Sequence, residues 1–152
     1  MLDIGTQAPN PTIQTHDDYS GPLGHFWQDG PLVLFFYPKD DTIVCTKEAC
    51  TFQNSFSEFQ SFNANVVGCS TDSLDSHKKF AQGNNLSFPI VVDEKGEFSK
   101  AFKTLRPLLR ICKRVTYVIG SDGTILGRTH NELSVNDHMK MIRATLDKLP
   151  SA

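Results

Sequence analysis

The run PLVLFFY, Pro31 to Tyr37, shows no alternation of apolar and polar positions and is bounded by Gly30-Pro31 and Pro38. A strand with one wet face alternates, so a continuous apolar run this short predicts a strand buried on both faces, at the centre of a sheet. It follows a Pro/Gly-rich lead-in with Pro9, Pro11, Gly21, Pro22 and Gly24. After Pro38 the pair Asp40-Asp41 and the hydroxyl of Thr42 signal a helix start, and a helical pattern runs to about Phe62 with Phe52, Phe56 and Phe59 on its apolar side. ANVVGCST predicts a second buried strand ending near Ser70. SLDSHKKFAQGNN predicts a helix opened by Ser73 and closed at Gly83-Asn84.

FPIVVD predicts a short strand and GEFSKAFKTL a short helix. RVTYVIG and TILGRTH, flanking Ser121-Asp122-Gly123, predict a hairpin. The chain closes with an amphipathic helix, in which Val135, Met139, Ile142 and Leu146 share one face and Ser134 and Asp137 stand at the start. Alternating strands and helices that end in an antiparallel hairpin and a helix predict an α/β fold with a mixed central sheet flanked by helices. No repeat or linker interrupts the 152 residues, a length suited to one domain.

Composition narrows the function classes. With 39% hydrophobic and 21% charged residues and a net charge of −2, the chain reads as a globular protein whose surface is not dominated by phosphate-binding cations, so no nucleic-acid partner is expected. The one basic stretch, Lys100 to Arg114, reads mainly as a solvated face. The start MLDIGTQAPNPTIQ lacks a signal-peptide pattern and no window approaches a membrane span, which points to the cytoplasm. There thiols are kept reduced, so the four cysteines are not expected to be structural staples and any disulfide should be transient.

Two cysteines, Cys45 and Cys50, stand five apart just beyond the apolar run. With Thr42 as the N-cap, Cys45 is the third helical residue, where unpaired backbone N–H groups and the positive end of the helix dipole favour a negative sulfur. Residues five apart in an α-helix are about 8.5 Å apart at Cα, beyond the roughly 7 Å that a disulfide spans. The two can join only if the first turns unwind, which suits a cysteine oxidised first and a partner called in afterwards. Two ordinary half-buried cysteines in a helix fit the spacing equally well. A zinc site does not, because the five histidines and CxxxxC form no ligand set.

The segment Pro38-Lys39-Asp40-Asp41-Thr42-Ile43-Val44-Cys45, with Glu48 beyond it, resembles the Pro-x-x-x-Thr-x-x-Cys active-site pattern of the peroxiredoxin family. FFYPKDDTIVCTKEACTFQ is similar to the Q-type branch, also called bacterioferritin comigratory protein, in which the second cysteine sits five positions on. The similarity continues through STDSLDSHKKFA, FPIVVDEKGEFSKAF and RVTYVIGSDGTILG. What the resemblance implies is a thioredoxin-like fold and a thiol peroxidase acting on hydrogen peroxide and organic hydroperoxides. It implies Cys45 as the peroxidatic cysteine, Thr42 and Arg114 completing the peroxide site with Pro38 shielding it, and Cys50 as the resolving cysteine. The Cys45 sulfenic acid would condense with Cys50, and thioredoxin or a similar dithiol would reduce the disulfide. No metal, haem or flavin is implied, and the branch favours a monomer.

The chemistry asks for donors aimed at both peroxide oxygens as negative charge shifts between them. The Thr42 hydroxyl, the Cys45 backbone N–H and the Arg114 guanidinium are the expected donors, with Glu48 orienting Arg114. Glu48 read alone is equally a surface helix glutamate. The chain departs from the branch in carrying Ile43-Val44 where Pro-Gly is common, and KTLRPLLR, Lys103 to Arg110, looks shorter and more apolar than its counterpart. Cys69 reads as a packed core cysteine. Cys112, two residues before Arg114 in an expected strand, should share its face, which suggests an auxiliary or alternative resolving thiol. Leu105, Leu108, Leu109 and Ile111 fit organic-substrate preference, a subunit contact or core equally. Outside the enzyme class, the chain fits a redox-sensing binding protein whose helix unwinding is read by a partner. A CxxC oxidoreductase is disfavoured by the absence of that motif.

Overall fold

A computed structural model describes residues 1–149. Strands β1 (Thr12–Gln14) and β2 (Ser20–Pro22) form a small antiparallel ribbon, followed by a 3-10 turn at Leu23–Trp27. Then come β3 (Leu32–Phe36), α1 (Ile43–Asn54), α2 (Phe56–Gln60), β4 (Asn65–Ser70), α3 (Leu74–Gly83), β5 (Ile90–Val92) and α4 (Glu97–Ala101). The hairpin β6 (Val115–Ile119) and β7 (Ile125–His130) and the helix α5 (Val135–Asp147) complete the chain. The central sheet has the order β5-β4-β3-β6-β7, with β3, β4 and β5 parallel and β6 and β7 antiparallel to their neighbours. This is the mixed α/β sheet expected from the element order.

The unbroken apolar run does form the middle strand, and every residue of β3 is buried. Val33 and Phe35 face one core with Ala49 and Phe52 of α1, Phe80 of α3 and Ile142 of α5. Leu32, Leu34 and Phe36 face a second core with Trp27, Phe98, Phe102 and Tyr117. Two packed faces explain why alternation vanishes here: neither side of the strand meets water.

The long helix expected to Phe62 is instead two helices meeting at Ser55, whose N–H bonds back to Thr51 and Phe52 while the next helix starts from its carbonyl. Phe52 and Phe59 are buried as expected, and Phe56 is only half-buried. Ser73 and Ser134 each cap their helices, accepting from the Ser76 and Asp137 N–H groups. The ribbon and 3-10 turn within the Pro/Gly-rich lead-in have strands of three residues, too short to show a period. Leu108 is 95% and Leu109 68% exposed in the turn before Arg110, so neither belongs to the core.

Phe35 holds α1 in place. Its ring lies edge-on to Phe52 at 4.5 Å and also contacts Tyr37 and Phe88. Across the parallel pair it faces Gly68, and a Cβ there would come within 2.9 Å of the Phe35 ring. We expect Gly68→Ala to destabilise the fold by about 1–3 kcal/mol through overpacking. In urea unfolding, that loss should shrink in a Phe35→Leu background, because the two positions share one space.

Candidate active site

α1 presents Cys45, Glu48, Ala49 and Phe52 on one buried face, the three-to-four spacing of a helix. Because Phe52 is pinned on Phe35, Cys45 and Glu48 at the other end of that face are pressed toward the start of β6. Arg114 meets them there, itself only 4% exposed. Its Nη2 donates to Cys45 Sγ at 3.2 Å and its Nη1 to Glu48 Oε1 at 2.9 Å. Arg114, far away in sequence, is therefore in direct contact with both Cys45 and Glu48 of α1. Glu48 is fully buried and its reading as a surface helix glutamate is corrected.

Arg114 is clamped from its other side by the segment after β7. Its Nε donates to the Glu132 carbonyl at 2.9 Å and its backbone N–H to Glu132 Oε2 at 3.0 Å. Glu132 Oε2 also meets Arg106 at 3.1 Å and His130 Nε2 at 2.7 Å. Burial pushes the Glu132 carboxyl up, but these partners outweigh it and hold its pKa below the ordinary value. Burial likewise opposes the Arg114 charge, and Glu48 and the Cys45 sulfur outweigh it, leaving its pKa raised. The sequence reading missed Glu132. Extending the hairpin pairing past Val115 and His130 places the residues after β7 beside Arg114, which is the signal that pointed there.

Thr42 is the N-cap of α1 by backbone, extended in conformation, with its carbonyl accepting from Thr46. Its side chain makes no cap bond, and the hydroxyl instead donates to the Lys39 carbonyl at 2.8 Å. Pro38 is half-buried at the start of this loop. The loop is anchored by Asp40, which accepts from Tyr37 Oη at 2.6 Å and Ser76 Oγ at 2.8 Å and pairs with His77 Nδ1 at 2.8 Å. Burial raises the Asp40 pKa, but the bond and charge of His77 and the two hydroxyls outweigh it, and the net direction is down. This second network, also missed from sequence, fixes where Pro38 and Thr42 stand. Together Asp41, Thr42, Ile43, Val44, Arg114, Glu132 and Leu133 line an open depression of about 560 Å³.

Cys50 is half-buried on α1, a free thiol whose Sγ contacts Asn84 Oδ1 at 3.8 Å. Cys69 and Cys112 are fully buried on the opposite side of the sheet, in the core that does not contain Cys45. Ser99 Oγ lies 3.1 Å from Cys112 Sγ and 3.8 Å from Cys69 Sγ, and burial pushes the Cys69 thiol well up. The expectation that Cys112 shares the face of Arg114 is thus corrected. Cys112 makes only an isolated bridge to Leu105, and regular β6 begins at Val115, so the two-residue period is not kept between them.

A buried thiol on a helix N-terminus, paired with a cation beside an open depression in a sheet-and-helix fold of this order, defines a thioredoxin-like thiol peroxidase, the peroxiredoxin class. Residues 4–128 match the AhpC/TSA family, "AhpC/TSA family" by description, and the chain belongs to that family. It is 30% identical to the Bacillus subtilis peroxiredoxin Bcp over 151 residues, covering 95% of each chain. It is 33% identical to the chloroplastic peroxiredoxin Q of Oryza sativa subsp. japonica, covering 89% of this chain and 62% of the rice protein. Its fold superposes on the crystal structure of peroxidoxin BcpB from Mycobacterium tuberculosis with a TM-score of 0.92 and 33% identity, covering 99% of this chain and 100% of that one. The protein is an oxidoreductase of the peroxiredoxin type, similar to members named peroxiredoxin Q and Bcp. Among the described residues no helix is long and apolar enough to cross a membrane.

Burial raises the Glu48 pKa from 4.5 to about 7, against the pull of Arg114. The folded protein therefore holds a proton between pH 4.5 and 7 that the unfolded chain has lost, so this group's stabilisation is full at low pH and is lost as pH rises through about 7. Urea unfolding of the reduced protein should show a decline of up to about 3 kcal/mol across that window from this group. Glu48→Gln should flatten it.

Proposed function

We propose that Cys45 is the peroxidatic cysteine, reducing hydrogen peroxide and organic hydroperoxides. The observation that carries this reading is the 3.2 Å bond from Arg114 Nη2 to Cys45 Sγ, on a helix whose first backbone N–H groups lack intrahelical acceptors. The cation and the helix end hold the thiolate, and the Cys45 N–H and the guanidinium supply donors to the oxygens as the O–O bond breaks. Thr42 takes the complementary part. Its proton is committed to the Lys39 carbonyl, so the oxygen is free to accept the O–H of the incoming peroxide. Pro38 screens the site from water.

The Cys45 sulfenic acid then condenses with Cys50, releasing water, and thioredoxin or a similar dithiol reduces the disulfide. Three features support unwinding of α1 despite its β-branched start: the N-cap lacks a side-chain bond, the helix breaks at Ser55, and Cys50 is held only by a weak sulfur contact. Ile43, 90% exposed, and Leu133, 79% exposed, flank the depression and offer apolar contact to an alkyl group. The protein is read as acting in the cytoplasm.

Peroxide consumption coupled to thioredoxin, thioredoxin reductase and NADPH tests the cycle. Cys45→Ser should abolish turnover, and Cys50→Ser should complete a single turnover and then stall with thioredoxin; full activity in Cys45→Ser would sink the assignment. Arg114→Lys should lower kcat/KM by about 10²-fold, since a point charge cannot hold sulfur, carboxylate and substrate together.

Replacing both Ile43 and Leu133 by Ser should lower the preference for cumene hydroperoxide over hydrogen peroxide about five- to tenfold. An unchanged ratio of the two kcat/KM values would remove these side chains from substrate selection.

A further inference from the structure

Arg114 brings one positive charge to two groups that can each become an anion. Cys45 Sγ lies 3.2 Å from Nη2 and Glu48 Oε1 lies 2.9 Å from Nη1, with all three residues buried. A thiolate and a carboxylate together would leave one negative charge uncompensated out of water, which costs several kcal/mol per ion. Glu48 Oε2 shows the strain of that arrangement: it is the buried side-chain polar atom without a hydrogen-bond partner among the described residues.

Among the described residues nothing else around Glu48 supplies a second cation. From α5, His138 Nδ1 stands 3.9 Å from Oε2, but its Nδ1 is engaged with Thr116 Oγ1 at 2.8 Å and its Nε2 with the Asn131 carbonyl at 2.9 Å. Burial lowers its pKa, favouring the neutral ring. From the segment after β7, Glu132 adds a further negative charge, itself matched by Arg106 and His130. Arg114 is left to neutralise either Cys45 or Glu48.

We propose that Cys45 and Glu48 alternate as the anion paired with Arg114, so that Glu48 takes up a proton when the sulfur ionises and releases it when the sulfur loses its charge on oxidation. In the reduced enzyme the proton lost from the thiol is matched by one gained on the Glu48 carboxyl, and the cluster of guanidinium, thiolate and protonated carboxyl stays neutral overall. During peroxidation the sulfur loses two electrons to the O–O bond, one oxygen stays on sulfur with its hydrogen, and the other leaves as alkoxide or hydroxide. The proton given up by Glu48 matches the one that this leaving group takes up. Burial of Glu48, with its pKa raised to about 7, places the exchange in the physiological range. Glu48 acts here through Arg114 and touches neither peroxide nor sulfur, so it is a positioning residue with a titratable function.

The inference rests on the assignment of Cys45 and Arg114 above, but it is tested without peroxide. The Glu48 carboxyl is followed by carbon-13 NMR against pH in the reduced protein and in Cys45→Ser, with Glu48→Gln identifying the signal. Without the competing thiolate, the Glu48 midpoint should fall by about one pH unit or more in Cys45→Ser. Identical midpoints would overturn the proposal.

Reciprocally, the thiolate absorbance of Cys45, measured in a Cys50→Ser background, should titrate at lower pH in Glu48→Gln by a comparable amount. The glutamine carbonyl still accepts from Arg114, so a purely orienting Glu48 would leave that midpoint in place. Should Glu48→Gln not fold, the midpoints of the glutamate signals that disperse outside the exposed range still decide between the reduced protein and Cys45→Ser. Coupled titrations without peroxide turnover would overturn the peroxidatic assignment, whereas turnover with uncoupled titrations would overturn this inference.

Discussion

The bond between the Arg114 guanidinium and the Cys45 sulfur is the constraint around which the molecule is arranged. A buried cation is tolerable only when its donors are filled, and here the sulfur and Glu48 from α1 and Glu132 from the segment after β7 fill those of Arg114 at the start of β6. Each of those elements has its own anchor. α1 is oriented by Phe52 against Phe35, β6 by its pairing with β3, and the Glu132 segment by the hairpin with β7. Packing far from the sulfur thus sets an ångström-scale geometry at the sulfur.

The central sheet also separates four chemically identical thiols into different roles. Cys45 has a helix end and a cation, and Cys50 has partial exposure on the same helix. Cys69 and Cys112 share the other core with Ser99 between them, where burial suppresses the thiolate of Cys69. Thiolate chemistry follows the local field, and the proposed oxidation and resolution fall on the first pair for that reason.

The loop from Pro38 to Thr42 links the two halves of the proposed mechanism. Asp40, saturated by Tyr37, Ser76 and His77, fixes the loop's position against α3. Directly after it, α1 begins with a cap that has no side-chain bond, and Asp41 takes a positive φ of 61°, a conformation Asp tolerates better than most residues. A rigid anchor beside a weak helix start suits the proposed cycle, in which one region holds the peroxide site and also opens for Cys50.

Periodicity in the sequence determined the buried middle strand, the strand-helix order, the closing hairpin and the apolar face of α5, because these depend on patterns within single segments. The spacing from Pro38 to Glu48 carried the reactive end of α1 for the same reason. The break at Ser55 escaped that reading, since three phenylalanines kept the helical spacing on both sides of it. Only the tertiary structure decided that Glu48 is buried, that Arg114 needs Glu132, that Asp40 meets His77, and that Cys112 faces away from Arg114. Those outcomes turn on contacts between residues tens of positions apart and on one irregular stretch before β6, where a local period has no hold over which face a side chain takes.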